Sequence, residues 1–243
     1  MSVSEVFKYS PINKNLIDSL VKGHIYCADL EKLNDPLDCR VDVVAAIKRA
    51  IANSEGKAKE NLKRLLASDD FLKSIEKKVA GVGICSFSLH LLKPMMWSHY
   101  ADEHRGLCLL YRFPEEFINY DQNRIIGAST LIYGDNVFTE SLVEAANGLS
   151  EIEAWEIFKS IVVPLFTAKG KDWNVEDEVR IIREFPGPLE FDRKYLAQIC
   201  FGMATPKRDK ELIRNIVGRC GYVVSFCEIQ RSNTDFSLGA VDL

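Results

Sequence analysis

Acids gather just ahead of an apolar run in Lys171–Ile182, KDWNVEDEVRII, where Asp172, Glu176, Asp177 and Glu178 lead into Val179, Ile181 and Ile182. Carboxylates at the mouth of a strand can bind a sugar hydroxyl, stabilise developing positive charge or activate a nucleophile. If the strand begins near Val175, alternation puts Glu176, Glu178 and Arg180 on one face and Val175, Asp177, Val179 and Ile181 on the other. The second face is expected to meet the core. The first is either a solvated face or a site. As a site, Glu176 and Glu178 converge on a ligand, Arg180 pairs with one of them and Trp173 adds a stacking wall.

Two other segments hold polar residues of the same kind. Lys8-Tyr9 lies in the first strand-like stretch, and NDPLD, Asn34 to Asp38, follows the strand that carries Tyr26. The NDPLD acids flank a proline, so Asn34 or Asp35 can close an Asx turn. Alternatively the rigid acidic turn, with Asn34, Asp35 and Asp38, holds a hydroxyl, an amide or a metal. It does not match a full calcium loop. MWSHY, Met96 to Tyr100, offers Trp97, His99 and Tyr100. His99 and His104 are five apart and miss the i, i+4 spacing of a zinc helix, so no metal is expected there. Trp97 reads as a core anchor, and His99 as either a packing histidine or a pocket residue. Trp97 and Trp173 are both expected to be largely buried.

Several common chemistries are missing. There is no GxxxxGK[ST] phosphate loop and no GxSxG elbow, and no helix opens on the GVG that precedes ICSF. A nuclease of the Asp…Glu-x-Lys kind would need lysine where EVR has arginine.

The elements that must position these residues belong to a chain of 243 residues with net charge −4, 47% hydrophobic and 27% charged. That balance is globular and gives no whole-molecule attraction to nucleic acid or to an anionic membrane. No apolar run is long enough for a membrane span and no signal-peptide layout opens the chain, so a cytoplasmic protein is expected. Cysteines at 27, 39, 85, 108, 200, 220 and 227 form no CxxC pair and sit mostly in apolar runs, as small buried hydrophobes in a reducing compartment.

VFKYS reads as a strand, followed by a helix from about Asn13 to Lys22 with Asn13 as N-cap and Gly23 as terminator. HIYCAD is a strand. Helical spacing then runs from about Val41 to Val79, with Ser68 starting the last helix. GVGICSFS is a strand, Met95 to Asp102 a short helix, Leu107 to Phe113 a strand and STLIYG another. Residues 141–169 carry helical spacing broken by Gly148 and Pro164. EVRIIRE and QICFG are strands, the helix from Pro206 is capped by Thr205, and YVVSFCEIQ closes as a strand. The pattern predicts an α+β fold: one domain over residues 1–243, with a mixed sheet and a helical insertion at about 41–79 after the first strands.

Taken together, Lys8-Tyr9, Asn34 to Asp38, Met96 to Tyr100, Trp173 to Arg180 and Ile199 to Gly202 resemble the shared blocks of a widespread bacterial family of uncharacterised proteins. Leu37 stands where an aromatic is commoner. A second, fainter resemblance is to ADP-ribosyltransferases, through Lys8, Tyr26 and Glu176-x-Glu178 in that order. It implies NAD as the cofactor and gives Glu178 the part of binding the nicotinamide-ribose hydroxyl and stabilising an oxocarbenium-like transition state. The expectation is a pocket for a nucleotide-type ligand, with Glu178 and Glu176 as its acids and a protein as target or partner. The rival is a non-catalytic binding or sensing module in bacterial conflict or phage defence.

Overall fold

Apolar side chains alternate along most strands, and both faces of the resulting sheet are covered. The computed structural model describes residues 5–148 and 154–243, and the side chains of all of these but 154–160. The chain begins β1 (Val6–Ser10), α1 (Lys14–Lys22) and β2 (His24–Asp29). The helices α2 (Val43–Ala52), α3 (Gly56–Leu66) and α4 (Asp69–Ala80) follow, then β3 (Gly83–Ser88), α5 (Pro94–Tyr100), β4 (Leu107–Tyr111) and α6 (Glu115–Ile118). Next come β5 (Ile125–Thr130), β6 (Ile132–Tyr133), α7 (Val137–Gly148), α8 (Ala154–Thr167), β7 (Ala168–Lys169) and β8 (Glu178–Arg183). β9 (Gly187–Glu190), β10 (Leu196–Phe201), α9 (Lys207–Arg219), β11 (Ser225–Arg231) and β12 (Leu238–Asp242) complete it.

Ten of these strands form one mixed sheet, and β6 and β7 form a separate parallel pair. The α+β architecture and the helical insertion after the first strands are therefore as the sequence predicts. One side of β3 pairs along its whole length with β8. The other side is shared. β2 pairs with its start through Ala28–Ile84 and Asp29–Gly83, and β1 meets only its end, at Phe7–Ser88. β1 and β2 thus splay apart beside Cys85–Phe87 and leave a split in the sheet.

Residues opposed in register share a face. One face carries Val6, Cys27, Cys85, Phe87, Val179 and Ile181, and packs under α1 and α9 through Leu16, Leu20, Ile213 and Val217. The other face is covered in two parts. Ile84 and Ile182 lie under the insertion helices with α7 and α8, while Tyr9, Cys108, Cys200 and Cys227 lie under Met96 and Trp97 of α5. Between these two clusters, Ser86, Ser88, Glu178 and Arg180 occupy the same face.

Local signals set several boundaries. The Asn13 side chain accepts from the Asn15 and Leu16 amides, and Gly23 closes α1 at φ 73°. Ser68 caps α4 through the Phe71 amide. Other boundaries move. α5 stops at Tyr100 rather than Asp102, because Asp102, Glu103 and His104 are all left-handed, with φ of 49°, 51° and 67°. Each such residue costs roughly 1–2 kcal/mol, and the turn is held from outside: the His104 carbonyl accepts from the Ala204 amide and the Gly106 carbonyl from Gly202. A Cβ on Gly202 would overlap the His104 carbonyl, which accounts for the glycine ending the QICFG strand. Thr205 does not cap α9; its hydroxyl donates to the Gly106 carbonyl at 2.7 Å, and Pro206 is the N-cap. Pro164 does not break α8, which runs through it. The STLIYG strand is two strands, β5 starting earlier at Ile125 and β6 following Leu131. Part of the helical spacing expected over 141–169 lies outside the described residues.

Candidate functional site

The three polar segments meet at the split. A cleft of about 210 Å³ lies there, lined among others by Lys8, Tyr26, Asp35, Tyr100, Lys169 and Glu176. Lys8 reaches across the gap, and its Nζ donates to the Ser86 carbonyl at 3.0 Å, an edge group that neither β1 nor β2 satisfies. Tyr26 stands half-exposed on the opposite lip.

The acids of the third segment converge, but not by strand alternation. β8 starts only at Glu178, and Lys171–Glu176 is a 3₁₀ turn. Asp177 is left-handed at φ 42°, a conformation Asp tolerates better than most residues, and this reverses the chain between the two glutamates. Both then meet Lys169, whose Nζ lies 2.6 Å from Glu176 Oε2 and 2.9 Å from Glu178 Oε2. The face bearing Glu176, Glu178 and Arg180 is not solvated. These residues are 4%, 5% and 1% exposed: β8 is paired on both edges, Arg180 is held against Asp38 and the Phe166 carbonyl, and Glu176 is held against Tyr100 and Lys169.

Arg180 organises the floor. Its Nε lies 2.6 Å from Glu178 Oε1 and its Nη2 3.1 Å from Oε2. The same guanidinium contacts both Asp38 oxygens, at 3.0 and 2.5 Å, and donates to the Phe166 carbonyl at 2.8 Å. Every donor of the rigid fork is used. In NDPLD the two expected roles fall on different acids: Asp35 closes an Asx turn onto the Leu37 amide, while Asp38 is buried against Arg180. Tyr100 donates to Glu176 Oε1 at 2.5 Å, and the Ser88 hydroxyl to the Glu176 carbonyl at 2.7 Å.

Among the described residues, three carboxylates (Asp38, Glu176 and Glu178) thus share two cations, leaving the cluster with excess negative charge at the cleft floor. Burial works to raise the Glu178 carboxyl, but the charge and hydrogen bonds of Arg180, then Lys169 and the Ser86 hydroxyl, hold it down to about 2. Burial opposes the Lys169 ammonium, yet the Glu178 and Glu176 carboxylates raise it overall. Burial and then the Glu176 carboxylate raise the Tyr100 phenol. A consequence is measurable. Because the Glu178 pKa is depressed on folding, its contribution is complete above its ordinary value of 4.5 and lost as pH falls toward 2. The shift corresponds to about 3 kcal/mol. Denaturant titrations between pH 5 and pH 2 should show wild type losing that much more stability than Glu178→Gln; equal losses would contradict the assignment.

Not every candidate residue reaches the cleft. Lys8, Tyr9, Tyr26, Asn34, Asp35, Asp38, Tyr100, Glu176 and Glu178 line it. Tyr9 does so with its ring only, since its hydroxyl donates to the His90 and Leu91 carbonyls. Arg180 lies just beneath. Trp97 is fully buried in the α5 core, with Nε1 donating to the Leu91 carbonyl at 2.7 Å. His99 is exposed on α5. Trp173 is 38% exposed rather than largely buried, because the 3₁₀ turn carries it outward, where its ring packs 5.0 Å from Lys169 Nζ. Lys169, Ser86 and Tyr133, whose hydroxyl accepts from the Glu178 amide at 2.8 Å, were not among the candidates. The only sequence signal for Lys169 is a cation closing the long apolar run of α8.

A family model described as "Protein of unknown function (DUF2971)" matches residues 96–181, the stretch from α5 through most of β8. Over that stretch the chain is similar to an uncharacterised protein family, and the matched span holds Tyr100, Lys169, Glu176, Glu178 and Arg180. No curated protein and no solved structure matches the chain. Among the described residues, no helix is long and apolar enough to cross a membrane.

Proposed function

We propose that the split-sheet cleft binds a small nucleotide-type ligand, with the excess negative charge of the Asp38–Glu176–Glu178 cluster as the observation that carries this reading. An acceptor-rich floor suits ribose hydroxyls, and Lys8 at the split suits an acceptor on the same ligand. At about 210 Å³ the cleft is smaller than the roughly 300–1,000 Å³ of drug-sized sites, so it takes one nucleoside-sized part of a larger molecule such as NAD. Within this site the acids divide their work. Among the described residues Glu176 accepts through its side chain from Tyr100 and Lys169 alone, so it has capacity for a ligand hydroxyl. Glu178, saturated by Arg180, Lys169 and Ser86, supplies the field that favours a cationic centre.

In the catalytic form of this reading the protein is a bacterial, cytoplasmic NAD-using transferase resembling ADP-ribosyltransferases, and Glu176 and Glu178 stabilise an oxocarbenium-like transition state. The test is NAD turnover and protein labelling by wild type, Glu176→Gln and Glu178→Gln. Turnover that falls at least about 100-fold in both variants, with folding intact, supports catalysis by this pair. Turnover unchanged in Glu176→Gln would sink it. A second reading, a binding or sensing module in bacterial conflict or phage defence, is favoured by one observation: both Glu178 oxygens are already engaged by Arg180 and Lys169, which leaves that glutamate little acceptor capacity for the ribose hydroxyl a transferase would hold there. It predicts ligand affinity without turnover.

A further inference from the structure

A larger cleft, of about 660 Å³, opens on the opposite face of the sheet, at the far end of β8. At its floor lies Arg183, 8% exposed. Its Nε donates to the Asn123 carbonyl at 2.8 Å and its Nη1 to the Pro188 carbonyl at 2.7 Å, while its guanidinium stacks 4.2 Å from the Phe185 ring centre. Among the described residues, no carboxylate pairs with it and its Nη2 group has no hydrogen-bond partner. Nη2 is not sealed in the interior; it opens into the cleft, where a ligand acceptor can take the place of water. The walls are aromatic: Phe117 and Tyr195 pack edge-to-face at 5.6 Å, and Tyr120, half-exposed, stands beside them. The rim is acidic, and Glu190 there has no cationic partner among the described residues.

These features select a ligand that is flat, offers a carbonyl acceptor to Arg183 and offers N–H donors to Glu190. A phosphate suits Arg183 but is repelled by Glu116 and Glu190 on the rim, which have no cationic partner among the described residues, whereas Asp192 is paired with Lys194 at 2.9 Å. An aliphatic amine suits the rim but not Arg183. We infer that this second cleft binds the guanine base of a nucleoside, its O6 and N7 edge toward Arg183, its N1 and N2 donors toward Glu190 and its ring against Tyr120. Adenine keeps N7 but puts an amino donor where guanine has O6, so Arg183 loses one of its two acceptors and meets a donor in its place.

The test is calorimetric titration of the full chain with guanosine, with adenosine and with a guanine-containing RNA tetranucleotide, repeated on Tyr120→Ala and Glu190→Gln. Both variants change exposed side chains outside the first cleft. Guanosine should bind saturably and adenosine at least about tenfold more weakly. Tyr120→Ala should lower guanosine affinity about tenfold, the scale of one lost base–aromatic stack, and Glu190→Gln should lower it too. The tetranucleotide should bind no more tightly than guanosine. Absent saturation at millimolar guanosine, equal binding of adenosine, or unchanged affinity in both variants would overturn the inference. A tetranucleotide that binds more tightly would overturn the assignment to a nucleoside in favour of RNA.

Discussion

Arg180→Ala should destabilise the protein by about 3–5 kcal/mol, the cost of breaking a buried ion pair from one side. Arg180 is 1% exposed and holds Asp38 and Glu178 together, residues that are themselves 7% and 5% exposed. Removing the guanidinium leaves two carboxylates facing each other with only Lys169 to share, 3.6 Å from Asp38 and 2.9 Å from Glu178. Arg180→Lys should recover little, because one ammonium cannot span two carboxylates and the Phe166 carbonyl. Arg180→Met combined with Asp38→Asn and Glu178→Gln should recover most of the loss, since the penalty comes from the orphaned charges. Denaturant midpoints of the three variants decide it. A loss below about 1 kcal/mol in Arg180→Ala, the value of an exposed pair, would mean that the cluster is open to water.

Trp97→Ala should cost a similar amount, about 3–5 kcal/mol, for a different reason: it opens a cavity. The indole is fully buried, meets the Tyr9 ring edge-on at 5.2 Å and stacks against His104 at 6.2 Å. Its Nε1 hydrogen bond also fixes the Leu91 carbonyl, which the Tyr9 hydroxyl shares. The substitution therefore loosens α5 and the strand bearing Lys8 together. Thermal and denaturant unfolding should agree on the loss, and a shift near zero would overturn the placement of Trp97 in the core.

What the sequence makes legible is mostly local. The Asn13 cap, Gly23, the Ser68 cap and the insertion helices follow from residues within one turn of each other. That Lys8, NDPLD, Tyr100 and the glutamates belong together is legible as a set of unusual polar segments. How they meet is not. Arg180 reaches Asp38 across 142 residues, and no spacing along the chain encodes that contact. Alternation around Glu176 misleads because one left-handed residue, Asp177, replaces the start of the expected strand. Trp173 moves outward for the same reason. Thr205 looks like a cap but is drawn instead to the Gly106 carbonyl by a strained turn whose partners are about 100 residues away in sequence.

The most direct measurement is calorimetric titration of NAD into wild type and Glu176→Gln, the variant that leaves the Arg180 clamp intact. Saturable binding by wild type, weakened at least about tenfold in Glu176→Gln at unchanged melting temperature, is the result a ligand site at the split sheet predicts. Equal affinity in the two proteins, or no binding by either, would contradict it and leave the buried acids a structural clamp alone.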